Sequence, residues 1–275
     1  MNIKSVSAAA LFLAAAMAAH AQTAGLNDII VGFRDANTGG ASNLEVKAGS
    51  VTTLAALTTE TLIGNYASNL SAITASWQTG TTAALHGLSW GAGGTASSTL
   101  IYGTSLWDKN ASGTLGVAGS TLGGNVWNAV ASVSGGNSKF GSLYTAFNSV
   151  SATPVGDGKA KTIAAGNTSS WTALGSTTAA FGVFNPNNNG FAGIEANNLV
   201  SGHSYQALDL YSVGVNTSTF LGTFALYAAN EGSHLAGDLT FTAIPEPSTY
   251  AAILGVVTLG FAAIRRRKQQ VDAQV

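Results

Sequence analysis

Gln206-Ala207-Leu208-Asp209-Leu210-Tyr211-Ser212-Val213, followed by Thr219-Phe220-Leu221-Gly222-Thr223-Phe224-Ala225-Leu226-Tyr227, decides the fold class. Apolar and polar side chains alternate along both runs, the period of two expected of a strand with one buried face. Leu239-Thr240-Phe241-Thr242 repeats the pattern, so this region predicts consecutive antiparallel strands. Working outward, Asn27 to Arg34 is β-branched and apolar and predicts another strand. Asp35-Ala36-Asn37-Thr38-Gly39-Gly40 is a turn sequence, and Asn43 to Gly49 alternates again. The first two strands therefore predict a hairpin.

The middle is less regular. Leu54, Leu57 and Leu62-Ile63 suggest a short helical piece. Asn65 to Trp77 predicts a helix: Asn65 caps it, and Leu70, Ile73 and Trp77 fall on one face. Ala84 to Gly91 predicts a strand, and Leu100-Ile101-Tyr102-Gly103 begins the next. Gly123 to Val133 and Ser138 to Val150 are helical candidates burdened by glycines and β-branched residues. Ser151 to Ser170 reads as a polar loop, and from Trp171 the chain reads as strands, with Phe181-Gly182-Val183-Phe184 before an Asn-Pro-Asn-rich turn. No solenoid-type repeat is present. The expected fold is mainly β with a few short helices: an antiparallel, sandwich-like domain.

Only 8 % of the chain is charged, against the usual ~25 %. Between Gln22 and Ala243, six cations stand against ten anions, a net of −4 spread thinly. That distribution offers no electrostatic footprint for nucleic acid. Cysteine is absent, which excludes disulfides, a thiol nucleophile, thiolate metal sites and a lipid-modified cysteine.

The candidate chemistry is sparse. Gly87-Leu88-Ser89-Trp90-Gly91 matches the G-x-S-x-G nucleophile elbow, with Asp209 and His234 following in order. In a chain this rich in Gly and Ser such a match arises readily by chance, and an elbow needs a strand–turn–helix. Past residue 21 the histidines are His86, His203 and His234; none forms an i, i+4 pair, so no metal site or cofactor is expected. Asp35-x-Asn37-x-Gly39 with Glu45 has a faint calcium-loop character, but Val46 stands where the bidentate Glu belongs. Gly156-Asp157-Gly158-Lys159 lacks P-loop spacing and reads as a turn. Trp77, Trp90, Trp107, Trp127 and Trp171 suit either a sugar-binding face or the core, with amphipathic placement favouring the core. Sequons at Asn69, Asn110, Asn167 and Asn216 are expected by chance in so Asn-, Ser- and Thr-rich a chain.

Both ends carry targeting features. Lys4 precedes an Ala-rich apolar run, Val6 to Ala19, and Ala19-His20-Ala21 forms an A-x-A site before Gln22. Residues 1–21 thus read as a signal peptide for Sec export, cut by signal peptidase. At the other end, Pro245-Glu246-Pro247 is followed by an uncharged segment, Thr249 to Ile264, and by Arg265-Arg266-Arg267-Lys268. The prolines fix φ and remove two donors, so no helix runs back through them. As a helix the uncharged segment would be roughly 24 Å long, slightly short of a full span. Snorkelling arginine stems make up the difference. The cation block favours the cytoplasmic side and leaves residues 22–243 outside.

The ordered set of Pro-Glu-Pro motif, apolar helix and Arg-rich end resembles the PEP-CTERM sorting signal of Gram-negative bacteria. That resemblance implies export, transient anchoring in the inner membrane, and recognition of Pro245, Glu246 and Pro247 by an exosortase. Its destination would be the cell surface or an extracellular matrix rich in exopolysaccharide. The implied organisation is signal peptide 1–21, secreted passenger 22–243 and sorting signal 244–268. In the signal, the motif is 245–247, the transmembrane helix 249–264 and the basic tail 265–268. The passenger is similar to one group within that family. Asp28 to Arg34 matches its D-L-L-L-G-F-R-like opening, and Leu208 to Tyr211 and Leu221 to Phe224 match its late Leu-Asp-Leu-Tyr and Leu-Gly-Thr-Phe strands. This likeness implies one domain whose first and last strands pair, and it carries over no biochemical activity; the chain is expected not to be an enzyme. The expected function is a structural or biofilm-related surface protein, with a glycan-binding module or a Ser89 hydrolase as alternatives.

Overall fold

The computed structural model describes residues 22–35, 42–75, 77–78, 87–106, 115, 130–149, 153–155, 159–176, 195–196, 199–200, 202–214 and 217–244. Its strands are β1 (Asp28–Asp35), β2 (Ser42–Ser50), β3 (Thr61–Asn65), β4 (Leu88–Ser97), β5 (Leu100–Leu106) and β6 (Thr153–Val155). They continue with β7 (Ala160–Ala164), β8 (Glu195–Ala196), β9 (Tyr205–Gly214), β10 (Thr217–Tyr227) and β11 (Asp238–Ala243). The helices are α1 (Val51–Ala55), α2 (Ala67–Ile73), α3 (Val130–Phe147) and α4 (Trp171–Ser176).

The fold is mainly β, and every strand pairing is antiparallel. Among the described residues the strands form one sheet in the order β3-β11-β10-β9-β5-β4-β1-β2-β7-β6, with β8 added beside β4. The expected sandwich-like pair of layers is replaced by one curled antiparallel sheet. Ile29, Val31 and Phe33 of β1 share one core with Leu208 and Leu210 of β9, Phe224 and Leu226 of β10, and Leu239 and Phe241 of β11. Leu54 of α1, Leu70 of α2 and Trp77 join it from the β2–β3 crossover and beyond.

The β1–β2 hairpin and the β9, β10 and β11 meander are as the alternation predicts. The first and last strands do not pair. β1 lies between β2 and β4, and β11 between β10 and β3, so both flanks of each are taken by other strands. Other expectations also shift. Leu62-Ile63 belong to β3, not to a helix. The helix foreseen from Asn65 to Trp77 is confined to Ala67–Ile73, because Asn65 ends β3 and Thr74 is extended. Its anchors are nonetheless real: Leu70 and Trp77 are buried, and the Trp77 indole donates to Ser71 Oγ (2.9 Å). The loop foreseen from Ser151 to Ser170 contains the β6–β7 hairpin. Among the described residues β6 is the outermost strand, the position at which a sheet tolerates a proline such as Pro154. Trp171 opens a helix rather than a strand: Ser170 Oγ accepts from Ala173 N (3.3 Å), as an N-cap does. Residues 84–86, 123–129, 150 and 181–190 lie outside the described residues.

The expectation of strands with one buried face also fails. β9 is buried along almost its whole length, on both faces. Outside the sheet, α3 presents Phe140, Leu143, Tyr144 and Phe147 at i, i+3, i+4 and i+7, all buried. Its glycines weaken it as an isolated helix; packing onto the sheet holds it. Phe140 lies so close to Gly93 that an added Cβ would sit 2.0 Å from the ring. Tyr144 O–H donates to Asp28 O (2.6 Å) and accepts from Thr95 N (2.8 Å), tying α3 to β1 and β4. Burial pushes this phenol well above its ordinary range.

Gly93→Ala is therefore expected to cost about 1–3 kcal/mol, the usual range for overpacking. A urea melt of the purified protein, read as a lowered midpoint at unchanged slope, checks it.

Candidate functional site

Two carboxylates whose ionisation is opposed by burial, Glu45 and Glu195, lie at the two ends of one row across the sheet, beside α4. Across four strands, Glu45 of β2 partners Gly32 of β1, Gly32 partners Gly91 of β4, and Gly91 partners Glu195 of β8. The row thus has a carboxylate at each end and two glycines as its floor. Trp171 lies on that floor: a Cβ added to Gly32 would meet its ring at 2.0 Å. The Trp171 main-chain N–H donates to Glu45 Oε1 (2.9 Å), and its indole N–H donates to Glu195 Oε1 (2.7 Å). Glu195 is also gripped by Arg34, whose Nη2 lies 2.7 Å from Oε2 and whose Nε lies 3.0 Å from Oε1. Asn43, two residues before Glu45, accepts from Thr172 Oγ1.

The electrostatics of the two carboxylates differ. Burial raises Glu195, and the Arg34 charge and its hydrogen bonds oppose that rise. Glu45 has only the Trp171 N–H to oppose burial, and its pKa is raised to about 8. Its Oε2 is buried without a hydrogen-bond partner among the described residues. Lys161, its cross-strand neighbour on β7, sends its ammonium instead to Phe147 O (2.6 Å). Two carboxylates flanking a groove is a pattern used in sugar hydrolysis, but here the indole fills the space between them. Chemically, the arrangement clamps α4 onto the sheet. Sequence reading missed this row; the glycines at matching registers were its only trace.

The structure separates the residues of the hydrolase alternative. Ser89 is the second residue of the ten-residue strand β4, buried and opposite Arg34, so the strand–turn–helix of an elbow is absent. Asp209 is fully buried on β9 and accepts from Thr223 Oγ1 (2.9 Å). His234 sits in the β10–β11 connection, stacked on Tyr227 with ring centroids 4.2 Å apart and 3.5 Å from Glu60. His203 pairs with Glu231 (2.8 Å). Among the described residues no group of three or more His, Cys, Asp or Glu could hold a metal. Trp77, Trp90 and Trp171 are all core residues. Asp35 ends β1, whereas Asn37 and Gly39 of the faint calcium loop, His86, Trp107 and Trp127 lie outside the described residues.

The residues expected to carry sorting, Pro245, Glu246, Pro247 and Arg265 to Lys268, lie outside the described residues, as do Ala19, Ala21 and the segment 249–264. Among the described residues no helix is long and apolar enough to cross a membrane. The described residues reach from Gln22 to Ile244. Gln22 begins the described chain, and two residues later Ala24 is held to Asn148 by a pair of hydrogen bonds (2.8 and 2.7 Å). β11 ends at Ala243, and Ile244 N still donates to Leu221 O of β10 (3.4 Å). No family model, no curated protein and no solved structure matches this chain.

Glu45 sets a pH dependence. Its folded-state pKa of about 8 exceeds the ordinary 4.5, so the folded state holds a proton that the unfolded state has lost. Stability from this group is complete below the ordinary value and is lost as pH rises through about 8. Denaturation midpoints measured from pH 5 to 9 should fall with pH, and Glu45→Gln should flatten that fall.

Proposed function

We propose that this chain is an exported protein carrying a C-terminal PEP-CTERM sorting signal, processed by an exosortase and delivered to the cell surface or extracellular matrix. The observation that carries the reading is the order of three unlike elements in one short stretch: Pro245-Glu246-Pro247, the uncharged run Thr249 to Ile264, and Arg265 to Lys268. Each has a physical task. The prolines keep the motif out of any helix, the apolar run partitions into lipid, and the cations hold its far end in the cytoplasm. The signal-peptide pattern with Ala19, Ala21 and Gln22 supplies the export that this topology requires. The absence of cysteine agrees with a body stabilised by packing alone.

In this reading residues 22–243 are cargo with a structural, matrix-related role. The passenger's partners are the export machinery, the inner membrane, the exosortase and, at its destination, exopolysaccharide. The glycan-binding and hydrolase alternatives gain no support from Trp77, Trp90, Trp171 or Ser89, all of them buried.

Replacing Pro245, Glu246 and Pro247 by alanine in the producing organism should leave export intact and abolish trimming. The surface protein should then retain its Arg265 to Lys268 end by mass spectrometry. Normal trimming of that variant would overturn the reading.

A further inference from the structure

The β2–β7 pair buries three polar side chains whose needs their surroundings leave unmet. Glu45 and Lys161 are direct cross-strand partners. Asn43 lies two residues along β2, on the same face, opposite Ile163. All three are buried. Among the described residues Asn43 Nδ2 and Glu45 Oε2 have no hydrogen-bond partner. The Lys161 ammonium rests against the Phe147 carbonyl (2.6 Å) and over the Phe147 ring (4.5 Å to its centroid), neither of them an anion. We propose that Lys161 and Asn43 join in an intramolecular isopeptide bond, with Glu45 as the acid–base group, so that β2 and β7 become covalently stapled.

Strand register brings the three groups within reach of one another. Diagonal neighbours on one face of an antiparallel pair stand about 7–8 Å apart, a distance that long side chains cross. Lys161 and Asn43 are such neighbours, with Glu45 beside both. The end of α3 that holds the Lys161 ammonium also packs Ala146 on Ile163, the cross-strand partner of Asn43. Passing from Phe147 O to the Asn43 amide therefore needs a new lysine rotamer, not a new register. The chemical states agree. Burial lowers the pKa of Lys161, which favours the nucleophilic free amine, and raises that of Glu45 to about 8, which keeps a proton to give. Asn43 Oδ1 accepts from Thr172 Oγ1, a donor placed where negative charge would develop.

In the step itself the lone pair of Lys161 Nζ attacks Asn43 Cγ, and the carbonyl π pair moves onto Oδ1. Glu45 gives its proton to Nδ2 and takes one from Nζ. The Cγ–Nδ2 bond breaks, the carbonyl re-forms and ammonia leaves. One amine and one primary amide become one secondary amide and ammonia, with no oxidant, reductant or further reactant. The product removes each unmet need. The buried lysine charge is gone, the orphan Nδ2 has left, and the new amide N–H stands beside Glu45 Oε2 as a donor. A link from residue 43 to residue 161 also restrains the unfolded chain as a disulfide would, in a protein without cysteine. The staple does not depend on the sorting reading.

The test is tandem mass spectrometry of the purified full chain after trypsin. Lys161 should escape cleavage. The peptide from Asp35 to Lys47 should be recovered joined to the one beginning at Ala160, lighter by one ammonia than the two together. Glu45→Gln, which cannot pass the proton, should leave the peptides unjoined while its circular dichroism matches that of the unaltered chain. Recovery of the two peptides unjoined from the folded, unaltered chain would overturn the proposal. So would an undiminished join in Glu45→Gln. A join that persists in Asn43→Ala, or one lighter by water instead of ammonia, would overturn it too, since either makes Glu45 the acceptor.

Discussion

The indole of Trp171 rests directly on the backbone of Gly32, with a carboxylate at each edge of its site. Much of the architecture follows from this kind of contact. A sheet that must bury both faces with few charges and no disulfides relies on large rings lying flat on strands. That requires glycine where the ring lands. Gly93 under Phe140 is the same device one step along the sheet. Magnitudes show why it is favoured. A buried Trp or Phe removes some 150–250 Å² from water, worth roughly 4–6 kcal/mol at 25 cal/mol/Å². An exposed ion pair contributes about 0–1 kcal/mol. For a chain with so few charged residues, aromatic-on-glycine packing is the larger lever.

The same contact explains the cost stored in Glu45. A buried carboxylate with one donor and an unpartnered oxygen is unfavourable as an anion. Its neighbour Lys161 is close in register, yet its ammonium is committed to the end of α3. Glu195, at the other end of the row, has Arg34 within 2.7 Å and is correspondingly better served. One clamp thus contains a satisfied acid and a frustrated one, and the frustrated one makes the fold pH-sensitive.

Strands whose neighbours are close in sequence were legible. β1 with β2, and β9 through β11, announce themselves by alternation and by turns of short reach. What the sequence hid was anything set by distant partners. α4 forms because Ser170 caps it locally and Glu45 receives the Trp171 N–H from far away; only the first of these could be read from the chain. α3 carries glycines that argue against a helix, and Gly93 and Ile30, on other strands, decide otherwise. β6 and β7 looked like a polar loop because Thr153-Pro154-Val155 is short and proline-bearing, and an edge position is what makes it acceptable. The carboxylate row was illegible for a like reason: its four members come from four strands. The proposed sorting signal is a reading of the opposite kind, resting on one contiguous stretch, Pro245 to Lys268, and on no distant partner.

The proposed topology and the observed end of β11 constrain each other. Only Ile244 to Ser248 separate the last strand from the uncharged segment, a tether of at most about 17 Å even fully extended. If the segment from Thr249 onward enters lipid, the body cannot stand off from the bilayer by more than its own small radius. The end of the sheet where β9 turns into β10 must then face the membrane. A processing enzyme embedded in that membrane would meet the motif in the wedge between bilayer and body, not on a free linker. Under that restriction the conformation of five residues matters more than their affinity as a peptide. A sequence whose prolines bar a helix from running back through it suits that confined place.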